Sequence, residues 1–150
     1  MKIALACDHG GLALKNAVAD WLGKNGYEVV DFGTDSAASC DYPDFALKAA
    51  EAVAAGECAY GVLVCTTGIG ISIVANKVRG VRCALCSEPL SAKMTRLHND
   101  ANMLALGGGM IGVNLGLEIV KTFLETPFSA EEKHVRRIGK IAAIEEKYCK

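Results

Sequence analysis

The stretch YGVLVCTTGIGISIVANK, residues 60 to 77, joins an apolar strand pattern to a helical pattern through a short glycine-containing loop. Its first six residues, YGVLVC, form a largely apolar run that ends at Cys65. A run of this length suits a strand that is buried on both faces of a parallel sheet. The helical pattern begins at Ser72. A strand that leads through a loop into a helix is the repeating unit of an α/β fold, so the stretch predicts that fold.

The same unit recurs along the rest of the chain. Further apolar or β-branched runs that predict strands occupy residues 2–7, 27–32, 82–86 and 102–107. Helical patterns accompany them at residues 12–26, 41–57, 72–78, 88–97 and 112–124. This alternation predicts a single domain, residues 1–150, built as a three-layer α/β/α sandwich around a five-stranded parallel sheet.

A final helix is predicted at residues 131–148, and no strand follows it. The segment is amphipathic, which predicts one apolar face. The residues of that face are Val135, Ile138, Ile141, Ala142 and Ile144. Two placements are open for it: the face packs against its own subunit, or it reaches across to a partner subunit.

The composition limits the classes of partner. The chain has 150 residues, is 51% hydrophobic and carries a formal net charge of −1. A nearly neutral chain lacks the electrostatic attraction that favours nucleic acids or membrane surfaces, so we expect neither partner. The start, MKIALACDHGG, lacks the pattern of a signal peptide, and glycine or charged residues interrupt every apolar run before it reaches the length of a membrane span. We therefore expect a cytoplasmic protein with reduced thiols.

Seven cysteines raise the question of a disulfide or a metal site. Cys83 and Cys86 form a C-x-x-C pattern, but they lie in a predicted strand, where residues i and i+3 point to opposite faces. A redox C-x-x-C pair is typical of a helix N-terminus, and a zinc site needs further ligands. We interpret the pair as structural and predict no metal.

Most of the chemically useful side chains lie at the ends of predicted elements. Ligands of open parallel sheets bind beyond the carboxyl ends of the strands. Asp8 and His9 follow the first strand, and the third strand ends in Cys65, shortly before Thr67. The fourth helix ends in the segment RLHND, residues 96–100, just before the fifth strand. We expect all of these groups to converge on one edge of the sheet.

The loop after Cys65 favours a reactive thiol over an inert, buried one. Residues 67–70, TGIG, lead into a helix, so backbone N–H groups and the positive end of a helix dipole point toward one place. Such a site stabilises an anion that forms in a transition state, and it lowers the pKa of a neighbouring thiol. A basic thiolate beside an anion site suits proton abstraction next to a carbonyl. The loop matches neither the dinucleotide-binding fingerprint nor the P-loop.

Other polar residues have two interpretations each. Asp8 either caps a turn or takes part in the chemistry. His98 is either a surface histidine or one that Asn99 and Asp100 orient. The basic cluster of the final helix is either a solvated face or a phosphate site, because arginine binds phosphate through two N–H groups. Its members are His134, Arg136 and Arg137.

Taken in order, six motifs of the chain resemble the ribose-5-phosphate isomerase B family, which includes allose-6-phosphate and galactose-6-phosphate isomerases. They span essentially the whole chain and are ACDHGG, DYPDFA, CTTGIGISIVANK, GVRCALCSE, TRLHNDANMLALGG and HVRRI. The resemblance implies a Rossmann-like α/β sandwich that interconverts D-ribose 5-phosphate and D-ribulose 5-phosphate, a step of the pentose phosphate pathway, without a metal or another cofactor. It also implies a homodimer, or a dimer of dimers, whose active sites use both subunits.

The resemblance also implies a role for each candidate residue. Cys65 would move a proton between C2 and C1 of the open-chain sugar, and Thr67 with the amides of residues 68–72 would hold the cis-enediolate. His98, with Asp8 nearby, would open the furanose ring. The implied substrate contacts are Gly68, Ile69, Gly70 and Ser72 in the loop, Tyr42 and Asn99 on the sugar, and His9, Lys133 and, from the neighbouring subunit, Arg137 on the phosphate.

Three residues depart from the family pattern. Thr66 stands where glycine is usual, and it adds bulk beside the sugar. Gly109 and Lys133 stand where arginine is common, and lysine keeps the charge but loses the two-pronged contact. These departures leave two alternatives: an isomerase of a hexose 6-phosphate or another uncommon sugar, or a non-catalytic subunit of a hetero-oligomeric isomerase. The intact Cys65 and His98 oppose the second alternative.

Overall fold

Five strands form one parallel sheet in the computed structural model, which describes residues 1–148. They are β1 (Lys2–Cys7), β2 (Glu28–Asp31), β3 (Tyr60–Cys65), β4 (Cys83–Leu85) and β5 (Met103–Gly107). Their order across the sheet is β2-β1-β3-β5-β4, and every neighbouring pair is parallel. The prediction of a five-stranded parallel sheet is confirmed.

The strand order reverses between β1 and β3. From β1 the chain first moves to β2 on one side, and it then returns to β3 on the other side of β1. In open parallel sheets a crevice forms at the carboxyl ends of the two strands where the order reverses, because the connecting segments leave in opposite directions. The crevice of this sheet therefore lies at the ends of β1 and β3, next to Cys7 and Cys65.

Helices cover both faces of the sheet. The first five are α1 (Leu12–Lys24), α2 (Tyr42–Ala54), α3 (Ile69–Ala75), α4 (Pro89–Asn99) and α5 (Val113–Glu125). α1, α4 and α5 pack on one face, with Leu5 of β1, and α2 and α3 pack on the other, with Ala4 and Ala6. The three-layer sandwich is confirmed. No helix in residues 1–148 has the length and apolar character that crossing a membrane requires.

One helix begins earlier than its sequence pattern indicates. α3 begins at Ile69 rather than at the predicted Ser72. Gly68 adopts the left-handed backbone conformation, with a φ of 77°, and turns the chain directly from the loop into the helix. A Cβ atom built on Gly68 would also lie 2.8 Å from the carbonyl carbon of Leu106. Glycine is therefore required here by conformation and by space.

The last helix, α6 (Glu132–Tyr148), lies outside the two helix layers and contacts α4. His134 is its buried residue, whereas Val135, Ile141 and Ile144 are 52%, 46% and 61% exposed. The predicted helix is confirmed. Its apolar face, however, is largely exposed: Ile141 and Ile144 line an open groove opposite Val81 and Ala84 of the same chain. Glu145 on this helix accepts a hydrogen bond of 3.0 Å from the Gly80 amide.

The placement of Cys83 and Cys86 supports their interpretation as structural residues. Cys86 belongs to the core beneath α1, α4 and α5, and Cys83 packs against the core beneath α2 and α3. Burial raises the pKa of Cys83 to about 12 and that of Cys86 to about 11, so both thiols stay protonated at neutral pH. Neither forms a disulfide bond within residues 1–148.

Candidate active site

Two candidate residues lie side by side at the crevice between β1 and β3. Cys7 pairs with Val64 in the register of these strands, so the residues that follow them, Asp8 and Cys65, meet at the carboxyl edge. The Asp8 amide also donates a hydrogen bond of 3.3 Å to the Val64 carbonyl. Both Asp8 and Cys65 are buried. The crevice thus holds a carboxylate and a thiol largely away from water.

The Cys65 thiol lies against the loop that follows it. Its Sγ accepts a hydrogen bond of 3.1 Å from the Gly68 amide. A donor aimed at the sulfur stabilises negative charge there, because hydrogen bonds to an ionised group are stronger than those to a neutral one. The position of the thiol beside an amide-rich loop agrees with the arrangement that the sequence predicts.

Thr67 and Ser72 stabilise the loop itself. Thr67 Oγ1 accepts from the Ile69 amide at 3.2 Å. The Ser72 amide donates to the Gly68 carbonyl at 3.2 Å, and Ser72 Oγ donates to the Ile69 carbonyl at 2.7 Å. These bonds fix the turn into α3, and they engage the amides of Ile69 and Ser72 within the loop.

The amides of Gly70 and Ile71 remain for a ligand, since they donate no hydrogen bond within residues 1–148. Tyr42, the first residue of α2, packs over Gly70: a Cβ atom built there would lie 2.6 Å from Cζ and 2.8 Å from Oη of the tyrosine. Tyr42 therefore forms one wall of the place where an anion can meet these amides.

Asp8 caps a short 3-10 helix, His9–Gly11. Its Oδ1 accepts hydrogen bonds from the amides of Gly10 at 2.9 Å and of Gly11 at 3.1 Å. Of the two interpretations that the sequence allows, capping is the one that the contacts display. The chemical role of Asp8 stays a prediction.

His9 faces the loop that precedes α2. Its Nδ1 accepts a hydrogen bond of 3.2 Å from the Cys40 amide, and the Cys40 Sγ lies 3.8 Å from the same nitrogen. A ring nitrogen that accepts carries no proton, so this bond assigns the proton of the neutral imidazole to Nε2. His9 therefore offers an N–H donor, which suits a phosphate or hydroxyl oxygen.

His98 and Asn99 lie at the opposite, amino edge of the sheet, so the expectation that they converge with Cys65 is wrong for a single chain. The reason is the direction of α4. It returns from the carboxyl edge so that β5 can run parallel to its neighbours, and its end must lie where β5 begins. The five residues of β5 span about 13 Å at about 3.3 Å per residue, and this is the distance between the two edges.

Hydrogen bonds hold the end of α4 at the amino edge. Arg96 is buried and donates to the hydroxyl of Tyr60, the first residue of β3, at 2.9 Å. It also donates to Asp100 Oδ1 at 2.7 Å. Arg82, which precedes β4, donates to the Asn99 carbonyl at 2.9 Å. Two arginines thus tie the last turn of α4 to the beginnings of β3 and β4.

Lys133 and Arg137 lie on α6, which meets the end of α4. The ring centroid of His134 on α6 is 4.4 Å from that of His98. Lys133 pairs with Glu131 at 2.9 Å, and Arg137 is exposed. The amino edge thus carries an imidazole, an amide and two cations. The carboxyl edge carries the Cys65 thiol, the Asp8 carboxylate, the His9 imidazole and the amides of the loop after Cys65.

Thr66 fills a gap between two glycines at the carboxyl edge. A Cβ atom added at Gly10 would overlap Thr66 Oγ1, and one added at Gly109 would lie 3.0 Å from Thr66 Cγ2. The Gly109 amide also donates to the Thr66 carbonyl at 2.9 Å. The exposed Thr66 side chain therefore occupies space directly beside Cys65.

Two contacts near the candidate residues are not predictable from the sequence. The Cys40 amide and its partner His9 are 31 residues apart, and no spacing pattern connects them. The nearby motif DYPDFA is the one signal that this part of the chain reaches the site. No sequence pattern predicts the contact between His98 and His134 either, although the sequence does single out His134 as a member of the basic cluster.

Known proteins are similar to the chain along almost its whole length. Residues 3–141 match the family described as ribose/galactose isomerase. The chain is 45% identical to ribose-5-phosphate isomerase B of Escherichia coli, over 97% of each chain. It is 40% identical to D-erythrulose-4-phosphate isomerase of Pectobacterium atrosepticum, over 93% of each. The structure of ribose-5-phosphate isomerase B from Clostridium thermocellum superimposes with a TM-score of 0.97 at 55% identity, over 99% of each chain.

Proposed function

The chain belongs to the ribose/galactose isomerase family, and on that premise we propose that it interconverts D-ribose 5-phosphate and D-ribulose 5-phosphate. It is an aldose–ketose isomerase of sugar phosphates. The observation that carries the proposed chemistry is the surroundings of the Cys65 thiol. The thiol accepts from the Gly68 amide, close to the amides of Gly70 and Ile71, which donate no hydrogen bond in the part of the chain that the structure describes.

Cys65 is the base of the proposed reaction. As a thiolate, Sγ takes the proton from C2 of the open-chain aldose, the electrons of the C2–H bond form the C1–C2 double bond, and the charge moves to the C1 oxygen. The proton of the C2 hydroxyl then passes to that oxygen. The thiol returns its proton to C1, which leaves the carbonyl at C2. The amides of Gly70 and Ile71 stabilise the oxyanion while it exists.

Ring opening precedes this transfer, because ribose 5-phosphate is mainly a furanose. His98 donates a proton to the ring oxygen as the C1–O4 bond breaks, and the C1 hydroxyl gives its proton to the Asp8 carboxylate, which leaves the aldehyde. Asn99 binds the sugar hydroxyls. Nε2 of His9 donates to the phosphate, whose charge Lys133 and Arg137 neutralise. His98, Asn99 and the two cations belong to the amino edge, whereas the thiol belongs to the carboxyl edge. The reaction therefore needs the amino edge of a second copy.

We infer a homodimer in which the carboxyl edge of each copy receives the amino edge of its partner. Exposed apolar side chains in both regions support this arrangement. Ile69 and Leu85 are exposed near the carboxyl edge, and Ile141 and Ile144 are exposed on α6. Burying one side chain of this size contributes about 1.5–3 kcal/mol. A few such contacts therefore give association a considerable driving force.

Replacing Cys65 tests the chemistry. In Cys65→Ala, the exchange of the C2 proton of ribose 5-phosphate with solvent deuterium should fall by about 10²–10⁴-fold, because the base is gone. NMR measures this exchange directly. Cys58→Ala, which removes another buried thiol, is the matched control and should keep its rate within about twofold. Undiminished exchange in a folded Cys65→Ala protein would exclude the thiol as the base.

A sugar phosphate of another length is the second candidate substrate. The Thr66 side chain between Gly10 and Gly109 narrows the space beside Cys65, which favours a short sugar, and one relative is named for D-erythrulose 4-phosphate. Values of kcat/KM for ribose 5-phosphate, erythrose 4-phosphate and allose 6-phosphate decide between them. The highest value for ribose 5-phosphate supports the main proposal. A clear preference for the tetrose or the hexose assigns the chain to that sugar, and inactivity of the pure protein toward all three favours a non-catalytic subunit.

A further inference from the structure

The imidazole rings of His98 and His134 are in contact at the amino edge. Their centroids are 4.4 Å apart and their planes are tilted by 39°. His98 is exposed at the end of α4, whereas His134 is 4% exposed. His98 has a part in the proposed reaction, whereas His134, the buried residue of α6, has none.

A second contact orients the His134 ring, and it connects this ring through Ser129 to the residue before His98. Nδ1 of His134 lies 2.8 Å from Ser129 Oγ, and the Ser129 amide donates to the Leu97 carbonyl at 3.3 Å. Leu97 is the residue before His98, so α4, Ser129 and the two rings form a closed set of contacts. An exposed histidine on its own samples several rotamers, and packing against a fixed ring restricts that choice.

The surroundings keep His134 uncharged. Burial lowers its pKa below the ordinary value, and the neighbouring cationic groups act in the same direction, while Glu131 opposes them. The groups that lower it by charge are His98 on α4 and Lys133 and Arg137 on α6. A neutral ring can pack against His98 without adding a like charge beside it.

We propose that His134 is a positioning residue for ring opening. Its ring holds the His98 imidazole in the orientation from which His98 delivers a proton to the ring oxygen of the sugar. His134 acts through His98 and not on the substrate itself. This inference rests on the proposed function, because it assigns His134 a part in the step that His98 performs there.

Two aldose phosphates separate ring opening from the later steps. Ribose 5-phosphate forms a furanose ring, whereas erythrose 4-phosphate cannot, because its O4 carries the phosphate. In His134→Leu we expect kcat for ribose 5-phosphate to fall about five- to twentyfold through lost orientation, and kcat for erythrose 4-phosphate to change less than about twofold. His134→Phe, which keeps a neutral aromatic ring, should recover most of the loss. Lys140→Ala, an exposed change on the same helix, should alter neither rate.

A double variant tests whether His134 acts through His98. His98→Asn alone should reduce turnover of ribose 5-phosphate strongly, and adding His134→Leu should cause no further loss, because the group to be positioned is absent. A structural role for His134 predicts losses that multiply, and equal losses with both aldoses. Either of those results would overturn the inference.

Nitrogen-15 NMR of the imidazole rings adds a measurement that needs no substrate. The ring signals and tautomer populations of His98 should change in His134→Leu and should stay close to the wild type in His134→Phe. Unchanged signals in His134→Leu would contradict the positioning role even if the enzyme proves active. Changed signals in a protein that acts on another sugar would instead count against the proposed substrate alone. Should His134→Leu not fold, Ser129→Ala removes the second contact and should give a smaller loss of the same kind.

Discussion

At the carboxyl edge, the side chain of Thr66 stands between the 3-10 helix and the loop that follows β5. Gly10 and Gly109 face it from the two sides, and neither has a side chain of its own. The Thr66 side chain is exposed, but it fills the space that a Cβ atom on either glycine would need, so the three positions share one volume. The residues at positions 10, 66 and 109 are therefore coupled, and packing explains the glycine at position 10.

Gly10→Ala should reduce the free energy of unfolding by about 1–3 kcal/mol, because the new Cβ overlaps Thr66 Oγ1. In a Thr66→Gly background the same change should be less destabilising, since of the three nearest atoms only the backbone nitrogen of residue 66 remains, 3.2 Å away. Urea denaturation of the four proteins in this double-mutant cycle measures the coupling. Gly23→Ala on α1, where no atom lies within 4 Å of the new Cβ, is the control and should not destabilise. An equal effect of Gly10→Ala in both backgrounds would rule out the coupling.

At the scale of the elements, the strands and helices were predictable because each carries its own periodic pattern. The runs at residues 2–7 and 60–65 match β1 and β3 residue for residue. The early start of α3 was not predictable from periodicity, because it depends on the left-handed turn at Gly68. Periodicity also says where α4 ends in the chain but not at which edge of the sheet. The edge at which His98 lies is therefore not predictable from its local pattern.

The candidate site was predictable to a similar extent. The place of Cys65 follows from its strand and from the loop after it, both of which are local in sequence. Which amides remain without a hydrogen bond in residues 1–148, those of Gly70 and Ile71, depends on which other donors the loop already engages. The bond from Cys40 to His9 joins distant segments. Such details depend on tertiary packing, which no single stretch of sequence encodes.

His134 makes the docking of α6 sensitive to acid. Its pKa is lowered in the folded chain, mainly by burial, whereas in a detached helix the imidazole returns to its ordinary value of about 6.5. The detached form then binds the proton more readily, so the docked form is most stable above about pH 6.5 and loses stability as the pH falls below it. Amide hydrogen exchange of α6, corrected for the intrinsic rate, should show more frequent opening at about pH 5.5 than at about pH 7.5.

His134→Phe is the control for this pH dependence, because its ring packs in the same place and does not titrate. Opening of α6 in that variant should vary little between the two pH values. If the variant keeps the full dependence of the wild type, another group is responsible for it.

Across the whole molecule, the proposed catalytic groups are divided between the two edges of one sheet. Cys65→Ala and His98→Asn chains should each form dimers in which both sites are defective. In the proposed dimer the thiol of one chain meets the imidazole of the other, so a dimer of one chain of each kind should have one doubly defective site and one intact site. Random pairing after joint refolding should therefore restore about one quarter of the wild-type activity toward ribose 5-phosphate.

The two chains can carry different affinity tags, so that the mixed dimer is purified before its activity is measured. It should then reach about half of the wild-type activity per dimer. A site built within one chain predicts no recovery at all, which makes the two arrangements easy to tell apart.

The position of Cys65 and His98 at opposite edges also has a consequence for evolution. If the gene of the proposed dimer is duplicated, one copy can lose its thiol and the other its imidazole, and a pair of unlike copies still keeps one working site. Neither copy is active alone, so selection then preserves both genes and favours surfaces on α6 that pair unlike chains. A division of labour between two subunits thus needs only losses, without the gain of any new catalytic residue.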